Sequence, residues 1–283
     1  MRDLTFVKGH GTENDFVLLT DRTGLLDLSE ELVRRLCDRR AGLGADGVLR
    51  AILARHVPGW TDWTQDPDVW FMDYRNSDGS VAEMCGNGLR VFIRYLLDEG
   101  LASGDEVVVA TRAGMRSGRA LSDGQIRVSM GEVRLGPSPV EVTQSGRTWS
   151  ARPVDVGNPH AVVMVGPGTL AALDLTSPPA WTPAAAFPTG VNVEYVERLG
   201  PKAARMRVFE RGVGETRSCG TGTVAVAAAL AGSATTQGRY RVEVPGGVVH
   251  VDLAAGRAHL TGPAVLVARG CVDLTALAQR LGT

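Results

Sequence analysis

Hydrophobic residues along this chain fall into many short runs and two long ones. The long runs are Leu89-Arg90-Val91-Phe92-Ile93-Arg94-Tyr95-Leu96-Leu97 and Thr223-Val224-Ala225-Val226-Ala227-Ala228-Ala229-Leu230. Each is apolar nearly all round a helical turn, which predicts helices over 87–99 and 221–232 that need cover on every side. Further helices are expected at 29–39 and, short, at 168–173. Short runs separated by turn residues predict strands at 17–19, 107–110, 126–130, 161–165, 205–209, 242–244 and 248–253. The pattern is therefore α+β: two halves, each a strongly bent, mostly antiparallel sheet or barrel wrapped around one central helix. The segment 131–139, with Gly136, Pro137 and Pro139, reads as the crossover. Residues 1–130 plus 264–283 form the expected N-terminal domain and 131–263 the C-terminal one. The apolar segment after Pro263 is expected to return to the first domain, and 275–283 to end in a short helix.

Both central helices open on the same phrase. Met84-Cys85-Gly86-Asn87-Gly88 precedes the first and Ser218-Cys219-Gly220-Thr221-Gly222 the second. A thiol followed by small residues and a buried helix places sulfur at a helix N-terminus, where unpaired N–H groups and the macrodipole favour thiolate and bind anions. Two such sites, one per half, suggest a pair of acid–base groups facing one substrate. The repeat extends upstream. Asn76 and Glu210 stand equally far before their cysteines, and the first half reads Asn14, Asp46, Asn76, Cys85 where the second reads Asn158, Asn192, Glu210, Cys219. A repeat of this length indicates a duplicated domain.

Composition narrows the class. At 283 residues, 44% hydrophobic and 22% charged, the chain is that of a soluble globular protein. A formal net charge of −1 gives no reason to expect nucleic acid or an anionic membrane. Without a signal segment or membrane-length apolar run, a cytoplasmic enzyme is the default. Cys37, Cys85, Cys219 and Cys271 are too scattered for a disulfide scaffold, and neither they nor the histidines show metal-ligand spacing. Cys37 and Cys271 read as small buried hydrophobes. The two lysines, Lys8 and Lys202, lack a phosphate-binding loop, which weakens a pyridoxal phosphate Schiff base. Neither cofactor nor metal is expected.

The ordered blocks resemble the diaminopimelate epimerase family over essentially the whole chain. They are Gly9-His10-Gly11 with Asn14-Asp15-Phe16, Gly42-Leu43-Gly44-Ala45-Asp46-Gly47, Asn76-Ser77-Asp78-Gly79-Ser80, both cysteine phrases, Gly157-Asn158-Pro159-His160, Asn192-Val193 and Glu210-Arg211-Gly212. Departures are Gly11-Thr12-Glu13-Asn14 in place of the more usual Gly-Leu-Gly-Asn, and an insertion at 57–68 with tryptophans nearby. The resemblance implies epimerisation of LL-2,6-diaminopimelate to the meso isomer, in lysine and peptidoglycan precursor synthesis, with no cofactor. Cys85 would be proton donor and Cys219 acceptor in that direction, facing each other across an interdomain cleft. His160 and Glu210 would tune the thiols. Gly86, Asn87, Gly220 and Thr221 would hold the α-carboxylate, while Asn14, Asn76, Asn158, Asn192 and Arg211 would bind the distal end. Glu210 also borders the substrate in this reading, and a homodimer is compatible with it.

Taken singly, these residues have plainer readings: turn-forming asparagines and glycines, a structural histidine, a solvated Glu210 with Arg211 as its surface partner. Joint placement favours the chemical reading. A proline or hydroxyproline racemase is the nearest competitor, but that group usually carries His where Asn87 stands and needs no clamp for a second amino-acid centre. A phenazine-biosynthesis-like protein of the same fold typically lacks the cysteine pair. A redox protein switching a Cys85–Cys219 disulfide is the third alternative.

Overall fold

The computed structural model describes residues 3–233 and 236–278. The chain divides into two compact units, Met1–Ile126 with Pro263–Thr283, and Arg127–Gly262. Unit 1 runs β1 (Asp3–Gly11), β2 (Asn14–Asp21), α1 (Glu30–Cys37), β3 (Gly47–Leu53), β4 (Trp70–Asn76), α2 (Gly86–Asp98), β5 (Val107–Thr111) and β6 (Gly114–Ala120). The next strand, β7 (Ile126–Glu132), begins on the last residue of that stretch. Unit 2 continues with β8 (Arg134–Leu135), β9 (Val140–Gln144), β10 (Arg147–Asp155), β11 (Pro159–Val165), α3 (Thr169–Ala172), β12 (Ala180–Thr182), β13 (Asn192–Gly200), β14 (Ala203–Glu210), β15 (Gly214–Thr216), α4 (Gly220–Ala231), β16 (Gly238–Val244), β17 (Gly247–Ala254) and β18 (Arg257–Gly262). The chain then returns to unit 1 through β19 (Val265–Asp273) and α5 (Leu274–Ala278). The rest of the terminal helix expected at 275–283 lies outside the described residues.

The mixed architecture is the α+β one expected, and the duplication is visible in the strand pairings. In unit 1, β19, β1, β2, β3, β4, β5 and β6 are joined successively as antiparallel, antiparallel, parallel, antiparallel, parallel and antiparallel pairs. In unit 2, β9, β10, β11, β13, β14, β16 and β17 repeat that series. The segment after Pro263 does return to the first domain, with β19 antiparallel to β1 from Asp3↔Asp273 to His10↔Val265.

Each sheet bends around its helix. Along α2 every residue from Gly86 to Ile93 is buried, and along α4 the same holds from Gly220 to Ala228. Gly232 ends α4 in the left-handed conformation at φ 74°, its N–H returning to Ala228 and Ala229 carbonyls. At α1, Ser29 caps the N-terminus by accepting from Leu32 N–H. Val33, Leu36 and Cys37 bury their side chains with Val17, Leu19 and Val48, and burial pushes the Cys37 thiol up to about 12. Cys37 is buried, as read.

One expectation changes. Cys271 is exposed, because the period of β19 sets it opposite Thr5 on the outward face of the β1–β19 pair. The insertion at 57–68 has a packing role: Trp60 and Trp63 cover Ile52, Ala54, Val57, Phe71 and Ala110, with the Trp63 and Phe71 rings 5.4 Å apart.

Candidate active site

Strand register explains why polar residues far apart in sequence gather at each cysteine. In unit 1, Asn14 opens β2, Asp46 immediately precedes β3, and Asn76 closes β4. Because β2 and β3 are parallel (Phe16↔Gly47) and β4 is antiparallel to β3 (Gly47↔Asn76), all three reach one edge of the sheet. Cys85 caps α2 there, its Sγ 3.4 Å from the Gly88 N–H that it accepts. The thiol lies 3.5 Å from Asn14 Oδ1, which also accepts from Asn87 Nδ2 at 3.4 Å. Asn14 Nδ2 donates to Asp46 Oδ2 at 2.8 Å, and this orients the amide with its oxygen toward the sulfur. Asn76 Nδ2 donates to Ser80 Oγ at 3.0 Å.

Unit 2 repeats the device. Asn158 precedes β11, Asn192 opens the parallel β13 (His160↔Asn192), and Glu210 closes the antiparallel β14, in which Phe209 pairs with Val193. Cys219 caps α4 and accepts from Gly222 N–H at 3.4 Å. Its Sγ is 3.5 Å from Thr221 Oγ1, to which Asn158 Nδ2 donates at 3.5 Å. Asn192 Oδ1 accepts the Arg211 N–H at 2.9 Å, while the exposed Arg211 guanidinium donates to Thr189 O and Oγ1 at 3.2 Å. In both halves the cysteine takes the N–H of the third helical residue. The first N–H groups of each helix, those of Gly86 and Asn87 and of Gly220 and Thr221, lie beside these sulfurs at the helix start.

The ionisable groups beside Cys219 in unit 2 are buried. Burial raises Glu210 above the usual carboxylate range, opposed by hydrogen bonds from Thr216 and from the Cys219 thiol. Burial, with Glu210 and Glu194 nearby, raises the Cys219 thiol well above its ordinary value. His160 is fully buried, with Nδ1 2.7 Å from Glu194 Oε1 and Nε2 2.9 Å from Asn158 Oδ1. Among the described contacts it therefore meets the thiol region through Asn158 and Glu194. Glu194 is itself fully buried, raised by that burial, and leaves Oε2 without a hydrogen-bond partner among the described residues. A Cβ on Gly222 would come within 2.6 Å of Glu194 Oε1, so the glycine makes room for this carboxylate against the first turn of α4.

Sequence reasoning missed three of these residues. Glu194 stands two positions after Asn192 on β13, and that alternation is the signal that could have found it. Thr216 lies in the short hairpin partner of β14. Arg90 sits inside the apolar run of α2 and is completely buried. It donates to Asn87 Oδ1 at 2.9 Å, Thr12 Oγ1 at 3.2 Å and Pro263 O at 3.3 Å.

Known proteins resemble this chain along nearly its whole length. The family model described as diaminopimelate epimerase matches residues 6–136 and 153–267. The chain is 51% identical to the diaminopimelate epimerase of Thermobifida fusca over 97% of this chain and 100% of that protein. It is 48% identical to that of Streptomyces coelicolor, over 95% of this chain and 96% of that one. Among solved structures, a hydroxyproline epimerase from Agrobacterium vitis shares the fold with a TM-score of 0.69 at 17% identity, covering 97% and 94% of the two chains. A Bacillus anthracis phenazine biosynthesis protein of the PhzF family shares it at 0.64 and 14% identity, covering 96% and 99%.

Proposed function

This chain belongs to the diaminopimelate epimerase family, and from that premise we propose how its residues divide the reaction. The chain is an isomerase, interconverting LL- and meso-2,6-diaminopimelate by two-base thiol/thiolate proton transfer in lysine and peptidoglycan precursor synthesis. The observation that supports our assignment best is the duplicated one: a cysteine at each of two buried helix starts, beside the same three strand ends.

The chemical difficulty is the α-hydrogen, which belongs to a very weak carbon acid. One sulfur must remove it while another returns a proton to the opposite face. In the LL-to-meso direction we assign Cys219 as acceptor and Cys85 as donor. Glu210 prepares Cys219 by taking the thiol proton. Its raised affinity for protons suits it to do so, and the exchange moves charge within a dry pocket without adding any. Cys85 starts as the thiol, which matches the carboxamide oxygen that Asn14 presents to it. His160 acts on this network through Glu194 and Asn158.

The N–H groups of Gly86, Asn87, Gly220 and Thr221 suit an α-carboxylate and the enolate-like charge that builds up beside it. Asn14, Asn76, Asn158, Asn192 and Arg211 take the distal amino-acid end, with the arginine matching its carboxylate. A cytoplasmic location and a homodimer complete this reading; fractionation and light scattering test them.

The deciding experiment is incubation with LL-diaminopimelate in heavy water. Meso product should appear carrying α-deuterium, in protein dialysed against chelator and treated with hydroxylamine. Loss of activity after either treatment, restored by adding back metal or pyridoxal phosphate, would sink the two-thiol reading.

A further inference from the structure

Arg90 presents a charge without a visible reason. Its guanidinium is buried completely, and its three hydrogen-bond partners, Asn87, Thr12 and the Pro263 carbonyl, are neutral. Among the described residues no carboxylate pairs with it. Removing a guanidinium from water without a counter-anion is strongly unfavourable, and dipoles alone offset it poorly.

The fold does not demand this arginine. The equivalent position of the twin helix, five residues after Cys219, holds Val224, which is equally buried. Room has also been kept for the charge: a Cβ on Gly11 would stand 3.0 Å from Arg90 Nη2.

We infer that Arg90 is a positioning residue for the first-half thiol: its buried guanidinium is the counter-charge of the thiolate that Cys85 becomes on giving up its proton. The inference rests on the two-thiol reading above and adds a residue to it. When the Cys85 S–H bond breaks, the proton goes to the substrate α-carbon and the electron pair stays on sulfur. The resulting anion sits at the N-terminus of the helix that carries Arg90.

Other charged groups on the elements packed against α2 are engaged elsewhere. On β1 and β2, Lys8 binds Asp15, which also holds Arg39, and His10 accepts the Glu13 N–H. On β3 and β4, Arg50 and Arg75 bind Asp73, joined by Arg112, and Asp21 faces Arg50. On β19, Arg269 binds Glu99, while Arg116 on β6 donates to the Met115 carbonyl. Asp46 accepts from the Asn14 carboxamide that faces the thiol and is held by Arg39. Burial brings Arg90 down to about 10, and Cys85 is the charged neighbour that works the other way. Arg90 also turns the Asn87 carboxamide so that its Nδ2 faces Asn14, fixing the acceptor that the thiol meets.

The test is the pH dependence of iodoacetamide alkylation, read for each cysteine separately by peptide mapping. Exposed Cys271 serves as the internal reference thiol. In the wild-type protein the Cys85 midpoint should lie below that of Cys271. Arg90→Met should raise it by at least about one pH unit, roughly a tenfold slower alkylation at neutral pH. Arg90→Lys should stay near wild type. In turnover with LL-diaminopimelate, Arg90→Met should lower kcat and leave KM nearly unchanged.

A wild-type Cys85 midpoint at or above that of Cys271 overturns the inference without any variant, should the methionine protein not fold. So does an unmoved midpoint in Arg90→Met. A raised KM with an unmoved midpoint would assign the missing anion to the substrate carboxylate instead. Alkylation uses no substrate, so a failed epimerase assay and a failed Arg90 assignment are separate results.

Discussion

In unit 1, Cys85 caps its helix beside two carboxamides, Asn14 and Asn87, with the Arg90 guanidinium buried on the same helix. In unit 2, Cys219 caps an otherwise matching helix beside two buried carboxylates, Glu210 and Glu194, and the His160 ring. The backbones repeat one another strand for strand, while the groups around the two sulfurs differ, carboxamides in one half and buried carboxyl groups in the other. Carboxylates follow the same division. Burial would raise Asp15 in unit 1, but Arg39 and Lys8 bring it down to about 2, whereas burial dominates at Glu210 and Glu194 and raises both. Duplication supplied one helix-capping cysteine in each unit, and divergence of a few side chains made the surroundings of one different from those of the other. A two-base enzyme needs that inequality, because one sulfur must hold a proton while the other lacks it.

The comparison breaks most sharply at the sulfurs. Cys85→Ser and Cys219→Ser should each lower epimerisation by a factor on the order of 10⁴, since a hydroxyl is too weak an acid to supply the missing base. Following deuterium wash-in with each isomer separates them. If Cys85→Ser loses abstraction from the LL isomer while Cys219→Ser keeps it, the donor and acceptor roles are the reverse of those assigned.

Glu210→Gln should lower kcat about 10²-fold, since it removes the group assigned above to take the Cys219 proton. It should also make the protein more stable at neutral pH. A carboxylate whose folded value is raised contributes stability that is fully present below its unfolded value and lost as pH rises through the folded one. Glutamine does not titrate, so its urea midpoint should exceed that of wild type at pH 7, with the difference vanishing below the unfolded carboxylate value. Equal midpoints at both pH values would argue against a buried, proton-hungry Glu210.

Asp15 should behave with the opposite sign. Its depressed value contributes stability that is present above the unfolded value of 3.8 and lost as pH falls toward about 2. The loss is about 2 kcal/mol across that window. Asp15→Asn should remove this acid slope, which urea titrations between pH 2 and pH 5 would reveal.

The smallest expected effect is in the hairpin before Asn14. Thr12 and Glu13 both have positive φ, 53° and 63°, in a two-residue β1–β2 turn that ordinarily favours Asn-Gly. Glu13→Gly should raise thermal stability by about 1 kcal/mol with little change in kcat. A loss of stability would show that the Glu13 side chain contributes more than its backbone strain removes.

The cysteine quartets were legible in sequence because each member sits where a strand or helix ends, and polar residues between apolar runs mark such ends. The central helices were legible too, since a run without a polar face admits few other solutions. The strands between them were harder to read. β3 and β4 are buried on both faces through most of their length, so Gly47–Leu53 and Trp70–Asn76 carry little of the alternation that marks a half-exposed strand. Arg90 and Glu194 escaped notice for a related reason. A charge inside an apolar run is ordinarily solvated, and what surrounds these two is decided by chain segments distant in sequence: Pro263 above Arg90, His160 beside Glu194.

The pairing of β1 with β19 has a consequence for how the protein is made. Synthesis proceeds from the N-terminus, and the partner of one edge of β1 is β19, the last strand among the described residues. Until Val265–Asp273 emerges, β1 can pair only with β2, leaving a row of open N–H and C=O groups on its other side. Unit 2 is continuous from Arg127 to Gly262 and has no such wait. The half that begins first is thus the half completed last. Its open edge is the point at which a nascent or truncated chain is most exposed to pairing with a neighbour.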